Sequence, residues 1–171
     1  MGWEVIGKIE YPKRCVVVVA PHTSNWDFFI GRLYGHSIGI KPKYLIKSEL
    51  FLPILSTLFR WDGGIPIYRY SNNNNVNQIT KRFNDSDELI LVITPEGTRS
   101  KVAKWKMGFY HIANSANVPV LLLALDFGKK KIGIINEMTC TGDIKKDIGF
   151  IQDQFKGIKG KIPTNYSNII Q

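Results

Sequence analysis

The chain reads as an α/β fold, a mixed and largely parallel sheet flanked by helices, because short apolar runs alternate with stretches of helical periodicity. Two of those runs, Cys15-Val16-Val17-Val18-Val19 and Leu89-Ile90-Leu91-Val92-Ile93, are unbroken by any polar residue, as a buried strand requires. Each ends in a polar turn, from Ala20 to Asp27 after the first and from Thr94 to Ser100 after the second. In an open α/β sheet, ligands sit in the crevice beyond such strand ends.

Taken in order, strands are expected near 15–20, 43–46, 65–68, 89–93, 120–125 and 131–135. Helices are expected near 25–38, 48–60, 75–84, 106–116 and 142–156. In the first helix Phe28, Phe29, Ile30, Leu33, Tyr34 and Ile38 alternate with small and polar residues. Ser48 to Trp61 is unusually apolar and is either a core helix or one facing a membrane, since Phe, Leu and Trp beside Arg60 suit an interface. Gly63-Gly64 allows close backbone approach before an extended stretch that presents Arg69. Asn72 to Asn75 reads as a polar loop leading into the third helix. One domain is expected over 1–171, with its motif-bearing core at about 15–125. The Gly-, Lys- and Asn-rich end, 157–171, is expected to fray.

Composition narrows the function. A hydrophobic content of 44% excludes a disordered chain, and no apolar stretch approaches the length that spans a bilayer. Met1-Gly2-Trp3-Glu4 lacks the pattern of a signal peptide, and Cys15 and Cys140 give no disulfide framework, so a reducing, cytoplasmic setting is expected. Cys15 is assigned to the core and Cys140 to an unreactive position. A net charge of +9, with clusters at Lys129-Lys130-Lys131 and Lys145-Lys146, attracts anionic partners or simply solvates a face. Nucleic acid is not expected, because neither a Gly-x-x-Gly clamp nor a ribonucleoprotein aromatic pattern is visible. No His, Cys, Asp and Glu cluster has metal spacing, so no metal site is expected, and His36 and His111 are given no chemical duty.

The two turns carry the chemistry. Positions five apart do not face each other on a helix, but His22 lies before the first helix and Asp27 in its first turn. Helical side chains tilt toward the N-terminus, so the Asp27 carboxylate points back at the imidazole and leaves one ring nitrogen as a base. The plainer account has Ser24 or Asn25 capping the helix and Asp27 complementing its dipole. In the second turn, Pro95 and Gly97 shape the backbone so that N–H groups and Arg99 converge on an anion. Read alone, this segment is an ordinary surface turn with Glu96 and Arg99 as a solvated ion pair. Gly64 and Arg69, likewise, read alone as a β-turn followed by a surface arginine.

Together, His22-x-x-x-x-Asp27, Gly64-x-x-x-x-Arg69 and Pro95-Glu96-Gly97-Thr98-Arg99-Ser100 resemble the ordered motifs of the glycerolipid acyltransferases. That family includes the lysophosphatidic acid and glycerol-3-phosphate acyltransferases. A fourth element, Val118-Pro119-Val120 before Leu121 to Leu125, is similar to theirs. The resemblance implies a glycerol-3-phosphate acyltransferase-like fold with His22 as general base and Asp27 as its orienting carboxylate. It implies that Gly64 and Arg69 serve the acceptor phosphate, and that Glu96, Gly97, Thr98 and Arg99 bind the glycerophosphate and build the site. Thr94, where many members carry an aromatic residue, and Pro66, where others have a bulky apolar one, bear on acceptor shape.

The implied reaction moves a fatty acyl group from an acyl thioester, acyl-CoA or acyl-carrier protein, to a hydroxyl of a lysophospholipid or glycerol-phosphate-type acceptor. No cofactor beyond the donor is implied, and peripheral contact with a membrane and an acidic acyl-carrier protein are the partners the charge would suit. A second class is a non-catalytic lipid or acyl-carrier binding protein of the same fold. A Ser24-His22-Asp27 hydrolase is disfavoured, because Ser24 sits two residues from His22 and the chain has no Gly-x-Ser-x-Gly elbow.

Overall fold

β2 (Arg14–Ala20) sets the plan of the molecule. In the computed structural model, which describes residues 2–7, 10–50, 53–67 and 72–166, its side chains alternate between two apolar layers. Val16, Val18 and Ala20 join one buried cluster, while Cys15 and Val17 join the other. A strand buried on both faces has no room for polar residues, hence the unbroken valine run. The other described strands are β1 (Glu4–Gly7), β3 (Lys43–Lys47), β4 (Gly64–Ile67), β5 (Leu89–Ile93), β6 (Val120–Asp126) and β7 (Lys131–Met138). They form one sheet in the order β1-β7-β6-β2-β5-β3-β4.

β2 runs parallel to both β5 and β6, and β3 is parallel to β4 and β5. The β6–β7 pair is antiparallel, with a register shift between Leu122 and Leu123. The sheet is therefore mixed and mostly parallel, as the alternation of elements predicts. One face is covered by α3 (Asn72–Asn84), α4 (Gly108–Ala116) and α5 (Ile144–Gln154), which supply Ile79, Phe83, Phe109, Ile112 and Ile151. α1 (Trp26–Ser37) supplies Ile30 and Tyr34 to the opposite face.

Several expectations change in detail. β1 has no counterpart among the expected strands: its four residues lack a long apolar run, and pairing with β7 fixes them. Within the apolar stretch at 48–60, the described residues form a short 3-10 turn (Ser48–Leu50) and α2 (Pro53–Trp61), with a proline at the first position of α2, where no N–H is needed. Phe51, and the side chain of Leu55, lie outside the described residues. The asparagine run belongs to the first turn of α3 rather than to a loop, where backbone N–H groups need no partner within the helix.

The expected fraying does not describe 157–166. Phe127 N–H donates to the Lys159 carbonyl at 2.8 Å, and a short 3-10 turn spans Pro163–Asn165. Glycine makes this docking possible: a Cβ on Gly160 would lie 2.6 Å from Thr23 Oγ1. A Gly-rich sequence here marks close approach rather than looseness. Residues 167–171 lie outside the described residues.

Candidate active site

Because β2 and β5 are neighbours with Val18 opposite Ile93, the loops that follow them leave the sheet side by side. His22 comes from the first loop and Glu96 from the second, and the His22 N–H donates to Glu96 Oε1 at 3.0 Å. This contact spans 74 positions of sequence and joins the two turns into one site.

Asp27 occupies the first turn of α1, and its carboxylate turns back toward the strand end. Oδ2 accepts the N–H groups of Thr23 at 2.6 Å and Ser24 at 2.9 Å, and lies 3.0 Å from His22 Nδ1. The imidazole Nδ1 and the carboxylate thus stand within hydrogen-bonding distance of each other. Burial pushes the Asp27 carboxyl up, but His22 and the Ser24 and Thr23 N–H groups together outweigh it and hold it below the usual range. The catalytic and capping accounts of this segment thus describe one carboxylate. Asn25, at the cap position, makes no side-chain capping bond; Ser24 Oγ accepts the Trp26 N–H instead. That hydroxyl also donates to Asp27 Oδ1, so Ser24 is committed to the carboxylate and not aligned with the imidazole as a nucleophile.

Glu96 is not the solvated partner of Arg99. It is 3% exposed, and Oε2 has no hydrogen-bond partner among the described residues. Burial pushes its carboxyl up to about 7, only partly offset by the His22 N–H. Gly97 has φ +63°, and a Cβ there would lie 2.9 Å from Lys106 Cδ. The Lys106 chain thus lies over the turn, and its N–H donates to the Pro95 carbonyl at 2.7 Å. Thr98 and Arg99 are exposed at the outer end of the same turn.

A sequence model of the Acyltransferase family matches residues 3–125, nearly three-quarters of the chain and all of the residues just described from the two turns. The chain belongs to the Acyltransferase family. Among its relatives, a 1-acyl-sn-glycerol-3-phosphate acyltransferase of Haemophilus influenzae is 26% identical over 127 residues, covering 69% of this chain and 50% of that protein. A probable 1-acyl-sn-glycerol-3-phosphate acyltransferase of Mycoplasma pneumoniae is 27% identical over 131 residues, covering 71% of this chain and 48% of that protein. The chain therefore spans about half the length of the curated relatives it matches. The crystal structure of the 1-acyl-sn-glycerophosphate (LPA) acyltransferase PlsC from Thermotoga maritima shares the fold, with a TM-score of 0.53 at 21% identity over 78% of this chain and 60% of that one.

Of the acyltransferase motif residues, the structure brings His22, Asp27, Glu96 and Gly97 together at the rim. Gly64 is elsewhere. It opens β4, whose C-terminal end is the one that approaches the rim, and a Cβ there would lie 2.9 Å from the Phe59 carbonyl. Its position answers to packing against α2. Arg69 lies outside the described residues.

Three further residues bear on this site. Thr23 is buried, and its Oγ1 accepts the Ile162 N–H at 3.1 Å. Lys106 covers Gly97, as described. Burial, followed by the Glu96 charge, raises the Tyr166 phenol. The Cys15 and Cys140 thiols are both pushed up by burial, to about 12 and about 11, which suits inert packing. No helix among the described residues is long and apolar enough to cross a membrane.

Proposed function

We propose that this chain catalyses transfer of a fatty acyl group from an acyl thioester to the hydroxyl of a lysophospholipid or glycerol-phosphate-type acceptor. The observation that carries the reading is the His22–Asp27 contact at the rim of the sheet, backed by the His22–Glu96 bond, in a chain of the Acyltransferase family.

An alcohol is a poor nucleophile near neutral pH. Asp27 fixes the imidazole through Nδ1, and Nε2 accepts the hydroxyl proton as the new C–O bond forms at the thioester carbonyl. The C–S bond then breaks, and the departing thiolate takes the proton from the imidazolium. No acyl-enzyme and no metal is called upon, and the donor, acyl-CoA or acyl-carrier protein, is the sole co-substrate. Arg99 and Arg69 serve the acceptor phosphate by charge-assisted hydrogen bonds. Glu96 and Gly97 hold the backbone of both turns, with Thr98 beside them. The setting is cytoplasmic, with peripheral contact at a membrane.

The test is thioester consumption with free-thiol release, measured with and without added acceptor. Acceptor-dependent release that disappears in a folded His22→Ala variant is expected. Thiol release indifferent to acceptor, or substantial turnover by the variant, would overturn the reading; binding of donor without any turnover would leave a non-catalytic binding protein.

A further inference from the structure

α1 has an apolar face that the core does not use. Ile30 and Tyr34 pack into the sheet, while Trp26, Phe29 and Leu33 are 57%, 58% and 54% exposed. Their spacing of three and four places them on one stripe. The Trp26 and Phe29 rings are 6.0 Å apart. Trp61, 83% exposed, adjoins Asp62, which Arg32 of the same helix holds at 2.5 Å. A contiguous exposed patch of large apolar side chains marks an interaction surface.

The charge next to it says what kind. Trp26 also lines an open groove of about 510 Å³ with Trp3, Phe127, Lys130, Lys159 and Lys161. Among the described residues none of the three lysines is ion-paired; Lys161 Nζ lies 5.7 Å from the centre of the Phe127 ring, and the buried Asp126 turns Oδ1 to the Gly128, Lys129 and Lys159 N–H groups.

We propose that the outer face of α1, with the adjoining lysine groove, docks onto an anionic lipid bilayer. Trp26, Phe29 and Leu33 enter the boundary between headgroups and acyl chains, and Lys130, Lys159 and Lys161 lie against lipid phosphates. An aromatic and aliphatic stripe bordered by cations fits that boundary. Association through this face with a second copy would oppose two chains of net charge +9. α1 starts at the catalytic turn, so docking brings the His22 rim to the bilayer surface. The inference rests on the acyl-transfer reading only for its purpose, delivery of a lipid hydroxyl; binding is measured without turnover.

The test is co-sedimentation of the full chain with vesicles of phosphatidylcholine alone or mixed with phosphatidylglycerol. Binding to the mixed vesicles is expected, little to phosphatidylcholine alone, and a steep loss with added salt. Replacing Phe29 and Leu33 by Gln, which preserves helix propensity, should weaken the partition coefficient by about tenfold or more, as should Lys159→Glu with Lys161→Glu. Should the Gln pair fail to fold, quenching of wild-type tryptophan fluorescence by brominated lipid decides the matter: quenching supports docking and its absence refutes it. Absent wild-type binding, binding unchanged in folded variants, or self-association abolished by the Gln pair would overturn the proposal. Acyl transfer to a short-chain, monomeric acceptor separates the two claims. Its loss with vesicle binding intact removes the enzyme and leaves the surface; the reverse removes the surface alone.

Discussion

The Ile162 N–H donates to Thr23 Oγ1 across 139 positions of sequence, at 3.1 Å. Thr23 in turn donates its own N–H to Asp27 Oδ2, so the C-terminal segment braces the carboxylate that faces His22. Gly160→Ala would place a Cβ 2.6 Å from Thr23 Oγ1 and 2.7 Å from its Cγ2, within a buried contact. Overpacking of this kind costs about 1–3 kcal/mol. Thermal unfolding should show that loss, with turnover reduced more than the KM for either substrate. Gly149→Ala, in α5 with nothing within 4 Å, is the control and should be neutral or slightly stabilising.

His22→Ala should reduce acyl transfer by about 10²–10⁴-fold, the usual contribution of a general base. The melting temperature should change little, because the His22 bond to Glu96 is made by the backbone. Acceptor-dependent thiol release is the measurement.

Asp27→Asn should damage both turnover and stability. Oδ2 receives two N–H donors and faces the imidazole, and an amide offers no second acceptor oxygen for the Ser24 hydroxyl. Leaving buried donors without an acceptor costs about 1–3 kcal/mol. Chemical denaturation reads the stability loss, and turnover at saturating substrates reads the catalytic one.

Glu96 makes the fold pH-dependent in a defined direction. Its carboxyl is raised from 4.5 to about 7, so the folded state holds a proton that the unfolded chain releases earlier. The stabilising contribution of that proton is complete below pH 4.5 and fades as pH rises through about 7. Glu96→Gln keeps an oxygen for the His22 N–H and removes the titration. Its stability relative to wild type should therefore climb between those pH values, by on the order of 2–3 kcal/mol. Melting curves of both proteins across that range test this; a constant difference would refute it. Asp27 acts oppositely, and its stabilisation is lost as pH falls below its ordinary carboxylate range.

Arg99→Ala should raise KM about tenfold or more for a phosphorylated acceptor and leave a phosphate-free acceptor nearly unchanged, the signature of a charge-assisted contact. An equal effect on both acceptors would make Arg99 a structural residue of the exposed turn.

Much of the fold is legible because its signals are local. An unbroken apolar run has few conformations that satisfy it, so β2 and β5 can be read directly, as can the turn that presents His22 and Asp27. The tilt of side chains at a helix start brings Asp27 back to the imidazole without any distant contact. β1 and the C-terminal segment lack such signals: β1 is held by β7, and Gly160 by its fit against Thr23.

By itself the sequence determined the alternation of strands and helices and the two polar turns at strand ends, and it placed His22 and Asp27 where they can meet, because each depends on residues within a few positions. The tertiary structure decided that β2 and β5 lie adjacent, that Glu96 is buried against the His22 backbone, and that 157–166 braces Thr23. It also decided which side of α1 faces the sheet and which is left outward. These depend on segments meeting across the fold, where burial and close approach are set by neighbours that local sequence cannot specify.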